Sequence, residues 1–173
     1  MNVATRALLE LQETTLLAAR AARGIFKRPH YIPETIEQMD VIGVGSLTII
    51  LLTGFFTGGV LTLQTYPTLQ FYGAQGQTGR LVAISLVREL GPVLSALMVA
   101  GRGGSAIAAE LGSMTVSEQI DALHSLGRDP ISVLAAPRIL AGLVTTPVLV
   151  AIANVIGVIA GMIAAEFTVH LGN

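Results

Sequence analysis

The distribution of charged side chains along the chain predicts three long apolar helices. Residues 41–79 and residues 139–165 contain no Asp, Glu, Lys or Arg. A helix of about 20 predominantly apolar residues is long enough to cross the hydrocarbon core of a membrane. We therefore predict transmembrane helices over residues 41–65 and 139–165. A third is predicted over residues 81–112, which are also strongly apolar but include Arg88, Glu89, Arg102 and Glu110.

Residues 1–40 have a different pattern, in which apolar and charged positions fall on opposite sides of a helix. The apolar side carries Leu8, Leu11, Ala18, Ala22, Ile25 and Phe26. The opposite side carries Arg6, Glu10, Glu13, Arg20 and Lys27. The pattern predicts an amphipathic helix lying at the membrane surface. A plain cytosolic helix is the alternative, because Leu9, Leu16 and Leu17 break the pattern. Residues 1–40 are thus assigned to an interfacial segment and residues 41–173 to a membrane domain.

The composition agrees with a lipid environment. Only 12% of the 173 residues are charged and 52% are hydrophobic, whereas about a quarter of the residues of a soluble domain are charged. The net charge of -1 argues against a nucleic-acid partner, since phosphate binding requires a basic face. The chain has no cysteine, which excludes disulfides, thiolate catalysis and cysteine-based zinc sites.

The basic residues predict the orientation of these helices. Seven lie before the first or the last predicted span: Arg6, Arg20, Arg23, Lys27, Arg28, Arg128 and Arg138. Only Arg80 and Arg88 flank the opposite side. Since cytoplasmic segments carry the excess of Lys and Arg, the N-terminus is predicted to be cytoplasmic.

The charges of the middle helix form a polar stripe. At 100° per residue, Arg88, Arg102 and Glu110 fall on one side of the helix, and Glu89 lies about 100° away. A charge within a membrane must face protein or a hydrated cavity. We interpret Arg102 and Glu110 as an intramembrane polar network, which either only orders the bundle through ion pairs or also takes part in the mechanism. We interpret Arg88 and Glu89, which precede the helix-kinking Gly91-Pro92, as residues facing a cavity.

Small residues recur every four positions on the same helix, a spacing that allows two helices in lipid to approach closely. Two rows have this spacing, Gly101/Ser105/Ala109 and Gly104/Ala108/Gly112. They predict a packing face, used either within the chain or between subunits.

A short helix is predicted over residues 115–127. Thr115-Val-Ser-Glu118 has the pattern of a capping box at a helix start, and Gly127 and Pro130 end the run. Val116, Ile120, Leu123 and Leu126 follow at helical spacing, with Glu118, Asp121 and His124 on the polar side. The helix is too short to span a membrane. Its residues alone allow an ordinary surface helix or one that docks into a partner.

Several blocks of the sequence resemble the MlaE/YrbE family of ABC-transporter permeases. They are Arg88-Glu-Leu-Gly-Pro92, residues 101–112 (GRGGSAIAAELG), residues 118–123 (EQIDAL) and Asp129-Pro130. The resemblance implies a lipid transporter of the bacterial inner membrane, formed by a permease homodimer, cytoplasmic ATPase subunits and an MCE-domain protein on the outer side. Family members have further membrane helices after the third, so we expect this chain to be the front portion of a permease.

The resemblance also implies roles for individual residues. The short helix becomes a coupling helix that contacts the ATPase through Glu118, Gln119, Ile120, Asp121 and Leu123, and the turn at Arg88 and Glu89 lies at a lipid cavity between two permease subunits. We expect Arg88 to meet a headgroup phosphate. Leu61, Leu63 and Tyr66 are the residues expected to line the acyl-chain path.

The chain has no GxxxxGK[ST] phosphate-binding loop, since Lys27 is its only lysine and no glycine immediately precedes it. We expect ATP and Mg²⁺ to be bound by a partner ATPase, and this chain to bind no cofactor and to be no enzyme. Two alternatives stay open. One is a permease of the same architecture for a sterol or another hydrophobic molecule. The other is an intramembrane enzyme with Glu89 or Glu110 as acid or base and Arg102 stabilising an anion.

Overall fold

A computed structural model describes residues 3–25 and 32–171, and this part of the chain contains helices and no strands. Seven α-helices follow one another: α1 (Val3–Ile25), α2 (Ile32–Met39), α3 (Gly45–Phe71), α4 (Thr78–Ser85), α5 (Gly91–Val116), α6 (Gln119–Ser125) and α7 (Ala136–Leu171). A 3₁₀ turn at Gln75–Gln77 precedes α4, and π-helical turns occupy Asp40–Val44, Leu86–Leu90 and Ile131–Ala135. The predicted all-α class is confirmed.

The π-helical turns join these helices into three long rods, each able by length and composition to cross a membrane. The rods comprise Ile32–Phe71, Gln75–Val116 and Ile131–Thr168, of 40, 42 and 38 residues. At ~1.5 Å rise per residue, 40 residues correspond to about 60 Å of helix, roughly twice the thickness of a hydrocarbon core. The spans predicted at 41–65, 81–112 and 139–165 lie within them, and each rod continues beyond both ends of its predicted span.

Two of the π-helical turns have the same cause in the sequence. Proline has no N–H, and in a regular α-helix its ring collides with the carbonyl four residues earlier. Pro92 and Pro137 each follow a five-residue π turn by two positions. In the first turn the Gly91 N–H donates to the Leu86 carbonyl, five residues back. In the second, the Ala136 N–H donates to the Ile131 carbonyl.

The chain folds as two compact units, which we describe separately. The first comprises residues 1–41 and 106–144, and the second residues 42–105 and 145–173. Ile50, Leu149 and Ala153 form the buried core of the second unit, where α3 packs against α7. Glycines permit this contact: a Cβ built at Gly54 would lie 2.8 Å from the Ala153 carbonyl oxygen.

The predicted packing face of α5 is not used within the described chain. Its residues Gly101, Gly104, Ser105, Ala108, Ala109 and Gly112 are all exposed. A Cβ built at any of these three glycines would meet no atom within 4 Å. Packing within the chain, one of our two interpretations, is therefore corrected: the close helix contacts are made by α3 and α7, whose glycines the sequence analysis did not single out. Contact with a second subunit stays a prediction.

In the first unit, α1 confirms a helix in the N-terminal segment, and its membrane-surface position stays a prediction. Leu8 and Leu11 are exposed, whereas Ala21 is buried. The side chains of Ala22 and Ile25, and residue Phe26, lie outside the described part of the chain. Between α1 and the Ile131–Ala135 turn is a groove of about 500 Å³, lined in part by Leu17 and Arg20.

Candidate functional site

The short helix α6 lies in the segment between two membrane-length rods. It comprises Gln119–Ser125 and follows α5 after a two-residue turn. Glu118 in this turn has φ 57°, the left-handed conformation that is uncommon outside glycine. At the other end, the Gly127 N–H donates to the His124 carbonyl and the Arg128 N–H to the Leu123 carbonyl. This pair of bonds with glycine at φ 69° is a Schellman motif, which ends the helix.

The predicted capping box is wrong. The Thr115 hydroxyl donates to the Leu111 carbonyl at 2.9 Å, inside the last turn of α5. The hydroxyls of Ser113 and Ser117 likewise donate to carbonyls of α5. These hydroxyl groups therefore complete α5 and do not begin a new helix. As a result α6 starts at Gln119 without a side-chain cap and is shorter than the predicted span of 115–127.

The residues predicted to contact an ATPase are arranged on two faces of α6. Glu118, Gln119 and Asp121 are exposed, whereas Ile120 and Leu123 are half-buried. The two apolar residues line a groove of about 320 Å³, together with Met114, Leu126, Val133 and Leu134. The helix thus presents acidic side chains outward and apolar side chains toward its own unit. Val116, which was also predicted to lie on the apolar side of the helix, is instead 88% exposed.

An ion pair joins α5 to α7, the two helices that flank the segment carrying α6. Arg138 Nη2 is 2.7 Å from Glu110 Oε1, and the Arg138 side chain is only 6% exposed, compared with 39% for Glu110. Nη1 of the same guanidinium donates to the Leu134 carbonyl at 2.7 Å. The buried Nε has no hydrogen-bond partner within the described residues. Because an unpaired buried charge is strongly unfavourable, Glu110 is the group that makes burial of Arg138 possible.

Arg102 makes a separate contact, and this corrects the predicted network. Its Nη1 donates to the hydroxyl of Ser46 on α3 at 3.3 Å, and Ser46 is completely buried. The guanidinium also covers Gly45, where a Cβ would lie 2.9 Å from Nη2. Arg102 and Glu110 thus have different partners. The sequence did not reveal Ser46 as the partner of Arg102 or Arg138 as the partner of Glu110. Arg138 entered the sequence analysis only as a basic residue that predicts topology.

The residues assigned to a lipid cavity lie on two helical segments of the second unit. Arg88 and Glu89 belong to the Leu86–Leu90 π turn and are exposed. Leu63 on α3 is also exposed, whereas Leu61 and Tyr66 are half-buried. A lipid cavity formed by these residues stays a prediction.

A small cavity does lie beside the π turn, but its lining differs from the predicted set. Ile50, Thr53, Gly54, Leu86, Gly91 and Ser95 are among the residues that line about 10 Å³. This is the space of about one water molecule and cannot hold a lipid. Nearby, the Asn154 side-chain oxygen lies against Gly91 and is buried without a hydrogen-bond partner among the described residues. Asn154 is the one side-chain amide in the charge-free residues 139–165, and this is the feature of the sequence that could have identified the position. The described residues contain no cluster of three His, Asp or Glu suited to a metal ion.

Comparison with known proteins identifies the family. A family model described as Permease MlaE matches residues 35–173. A "Probable ABC transporter permease protein" of Rickettsia felis is 43% identical over 88% of this chain and 59% of its own length. The "Intermembrane phospholipid transport system permease protein MlaE" of Haemophilus influenzae is 48% identical over 78% of this chain and 51% of its own length.

A plant protein is also similar. "Protein TRIGALACTOSYLDIACYLGLYCEROL 1, chloroplastic" of Arabidopsis thaliana is 36% identical over 87% of this chain and 43% of its own length. The chain thus spans between 43% and 59% of the length of these three relatives. The predicted resemblance is confirmed over residues 35–173. The chain belongs to the MlaE permease family, and three of its helices are long and apolar enough to cross a membrane.

Proposed function

We propose that this chain is the permease subunit of an ABC transporter that moves phospholipid, or a related lipid, between the inner membrane and periplasmic carrier proteins. One observation supports this most directly: the exposed α6 lies between two membrane-length helical rods in a member of the MlaE permease family. A short amphipathic helix in that position can dock on a partner and receive its movement. The names of the Rickettsia and Haemophilus relatives agree with transport and, in the second case, with a phospholipid.

ATP binding and hydrolysis are assigned to a separate cytoplasmic ATPase, together with Mg²⁺. The sequence has no phosphate-binding loop of the GxxxxGK[ST] type. The acidic face of α6, with Glu118 and Asp121, is the proposed contact with that ATPase. Gln119 flanks this face, and Ile120 and Leu123 hold the helix on its own unit. The N-terminus lies on the same, cytoplasmic side in this proposal.

Transport then follows from movement of the rods. Closure of the ATPase subunits pushes on α6, and the rods rock to change access to a lipid cavity. Arg88 meets the phosphate of a headgroup, Glu89 lies beside it, and Leu61, Leu63 and Tyr66 contact the acyl chains. The exposed positions of Arg88 and Glu89 support this, because both remain free to face a ligand or a second subunit.

The complete assembly is proposed to contain a second copy of the permease and an MCE-domain protein on the periplasmic side. The exposed small residues of α5 are available for a contact with the second copy. A sterol or another hydrophobic molecule is the alternative cargo, since apolar side chains bind many lipids. The ion pair of Glu110 with Arg138 disfavours Glu110 as the acid or base of the enzyme alternative, which leaves Glu89 for that role.

Mass spectrometry of the full-length protein, purified from its native membrane, tests the proposal. We expect an ATPase subunit and an MCE-domain protein to co-purify, with phospholipid as the bound lipid. A bound sterol with the same ATPase would support the alternative cargo. Purification without any ATPase, in detergents that preserve other ABC transporters, would contradict the proposed function.

A further inference from the structure

The ion pair between Glu110 and Arg138 closes the segment that carries α6. Glu110 lies in the last two turns of α5, which ends at Val116, and Arg138 lies in the first turn of α7, which begins at Ala136 after α6. Arg138 contacts the Glu110 carboxylate through Nη2 and the Leu134 carbonyl through Nη1, both at 2.7 Å. One guanidinium thus joins the helix before α6, the helix after it and the π turn between α6 and α7.

The rest of this segment has several points at which its backbone can bend. Glu118 and Gly127 lie on either side of α6 with φ of 57° and 69°. The π-helical turn at Ile131–Ala135 follows. A force applied to α6 could be absorbed at these turns if the two flanking helices were free to move apart. The Arg138 guanidinium opposes that separation, because it is only 6% exposed and is bonded to both Glu110 and the Leu134 carbonyl.

We propose that Glu110 and Arg138 are positioning residues that transmit movement of α6 to α5 and α7 together. This inference rests on the proposed function, because it requires an ATPase that pushes on α6. It gives the pair a mechanical role beyond ordering the bundle. Loss of the pair should leave ATPase binding at α6 intact and reduce the lipid transferred for each ATP hydrolysed.

The test uses the full-length protein with its ATPase in proteoliposomes, with transfer of a labelled phospholipid and ATP hydrolysis measured on the same sample. Glu110→Gln and Arg138→Gln are each expected to lower the transfer per ATP about fivefold, a typical size for loss of coupling between sites. The exchanged pair Glu110→Arg with Arg138→Glu should recover much of this ratio. Arg128→Ala removes an exposed arginine of the same segment and should leave the ratio unchanged.

A reversible bridge separates transmission from folding. Residues 1–173 contain no cysteine; in full-length protein in which any cysteine outside these residues is replaced by serine, Glu110→Cys with Arg138→Cys can be joined by a reducible bis-methanethiosulfonate reagent. We expect the lipid transferred per ATP to be high while the two cysteines are bridged, and low after the bridge is reduced in the same folded sample. Equal ratios in both states, or an unchanged ratio in the folded single variants, would overturn the proposal. Wild-type protein that binds the ATPase but transfers no lipid with ATP would instead contradict the proposed function.

Discussion

Gly58 of α3 lies directly against the backbone of Gly157 of α7. A Cβ built at Gly58 would overlap the Gly157 carbonyl group. Four residues later on each helix, Thr62 and Gly161 also meet, with the Thr62 hydroxyl 3.0 Å from a Cβ built at Gly161. In a membrane, where apolar side chains gain little by leaving lipid, such backbone contact is a main source of helix association.

Gly58→Ala is therefore expected to destabilise the contact of α3 with α7. Overpacking of a tight contact costs about 1–3 kcal/mol. The expected result is a lower thermal unfolding temperature of the full-length protein in detergent. Gly59→Ala is the matched control, because a Cβ there meets no atom within 4 Å, and alanine favours a helix over glycine by about 0.5–1 kcal/mol. Equal unfolding temperatures for the two variants would contradict the packing argument.

Substitution of Arg88 and Glu89 tests the lipid cavity. Arg88→Ala and Glu89→Ala remove two exposed charged groups from the π turn before Pro92. If Arg88 binds a headgroup phosphate, its loss removes a charge-assisted hydrogen bond. We expect transport by the complete assembly to fall at least about tenfold, since each ~1.4 kcal/mol corresponds to a factor of ten. ATP-dependent transfer of a labelled phospholipid measures this.

Arg80→Ala serves as the control for Arg88, because it removes an exposed arginine of the same rod that has no assigned contact with lipid. Its transport should equal that of the wild type. Unchanged transport by both Arg88→Ala and Glu89→Ala would show that this turn does not line the lipid path.

Charge reversal on α6 tests its contact with the ATPase. Glu118→Lys combined with Asp121→Lys changes two exposed acidic side chains without removing the half-buried Ile120 and Leu123. Juxtaposing like charges across an interface costs several kcal/mol, so the ATPase should no longer co-purify. Glu10→Lys with Glu13→Lys applies the same charge change to the exposed surface of α1 and should retain the ATPase. Retention by the α6 variant would remove the coupling role.

The three rods could be predicted because lipid excludes charge. The charge-free residues 41–79 and 139–165 therefore revealed two of them directly. The ends of the rods were underestimated, since helices continue into polar surroundings where hydropathy no longer distinguishes them. The π turns before Pro92 and Pro137 correspond to a local sequence cause, but only Gly91-Pro92 was recognised as a kink. The short helix was located from its apolar spacing, although its start was misplaced at Thr115.

The partners of the charged side chains of α5 could not be predicted. Helical spacing places Arg102 and Glu110 on one stripe, but it does not show which neighbouring helix approaches that stripe. Glu110 meets Arg138 across the whole α6 segment, and Arg102 meets Ser46 on α3. Such contacts depend on the packing of helices distant in sequence. The same limit applies to the glycines. Those in the small-residue rows of α5 have no neighbour within 4 Å of a built Cβ among the described residues, whereas Gly54 and Gly58 of α3 lie against the backbone of α7.

ATP-driven lipid transfer by the reconstituted assembly is the decisive measurement for the proposed transport function. Full-length protein, its ATPase and its periplasmic partner are placed in liposomes that contain a labelled phospholipid, and transfer between membrane and carrier is followed with ATP or a non-hydrolysable analogue. We expect transfer that requires hydrolysis and is lost with Glu118→Lys and Asp121→Lys. Transfer at the same rate without ATP, or with the α6 variant, would contradict it.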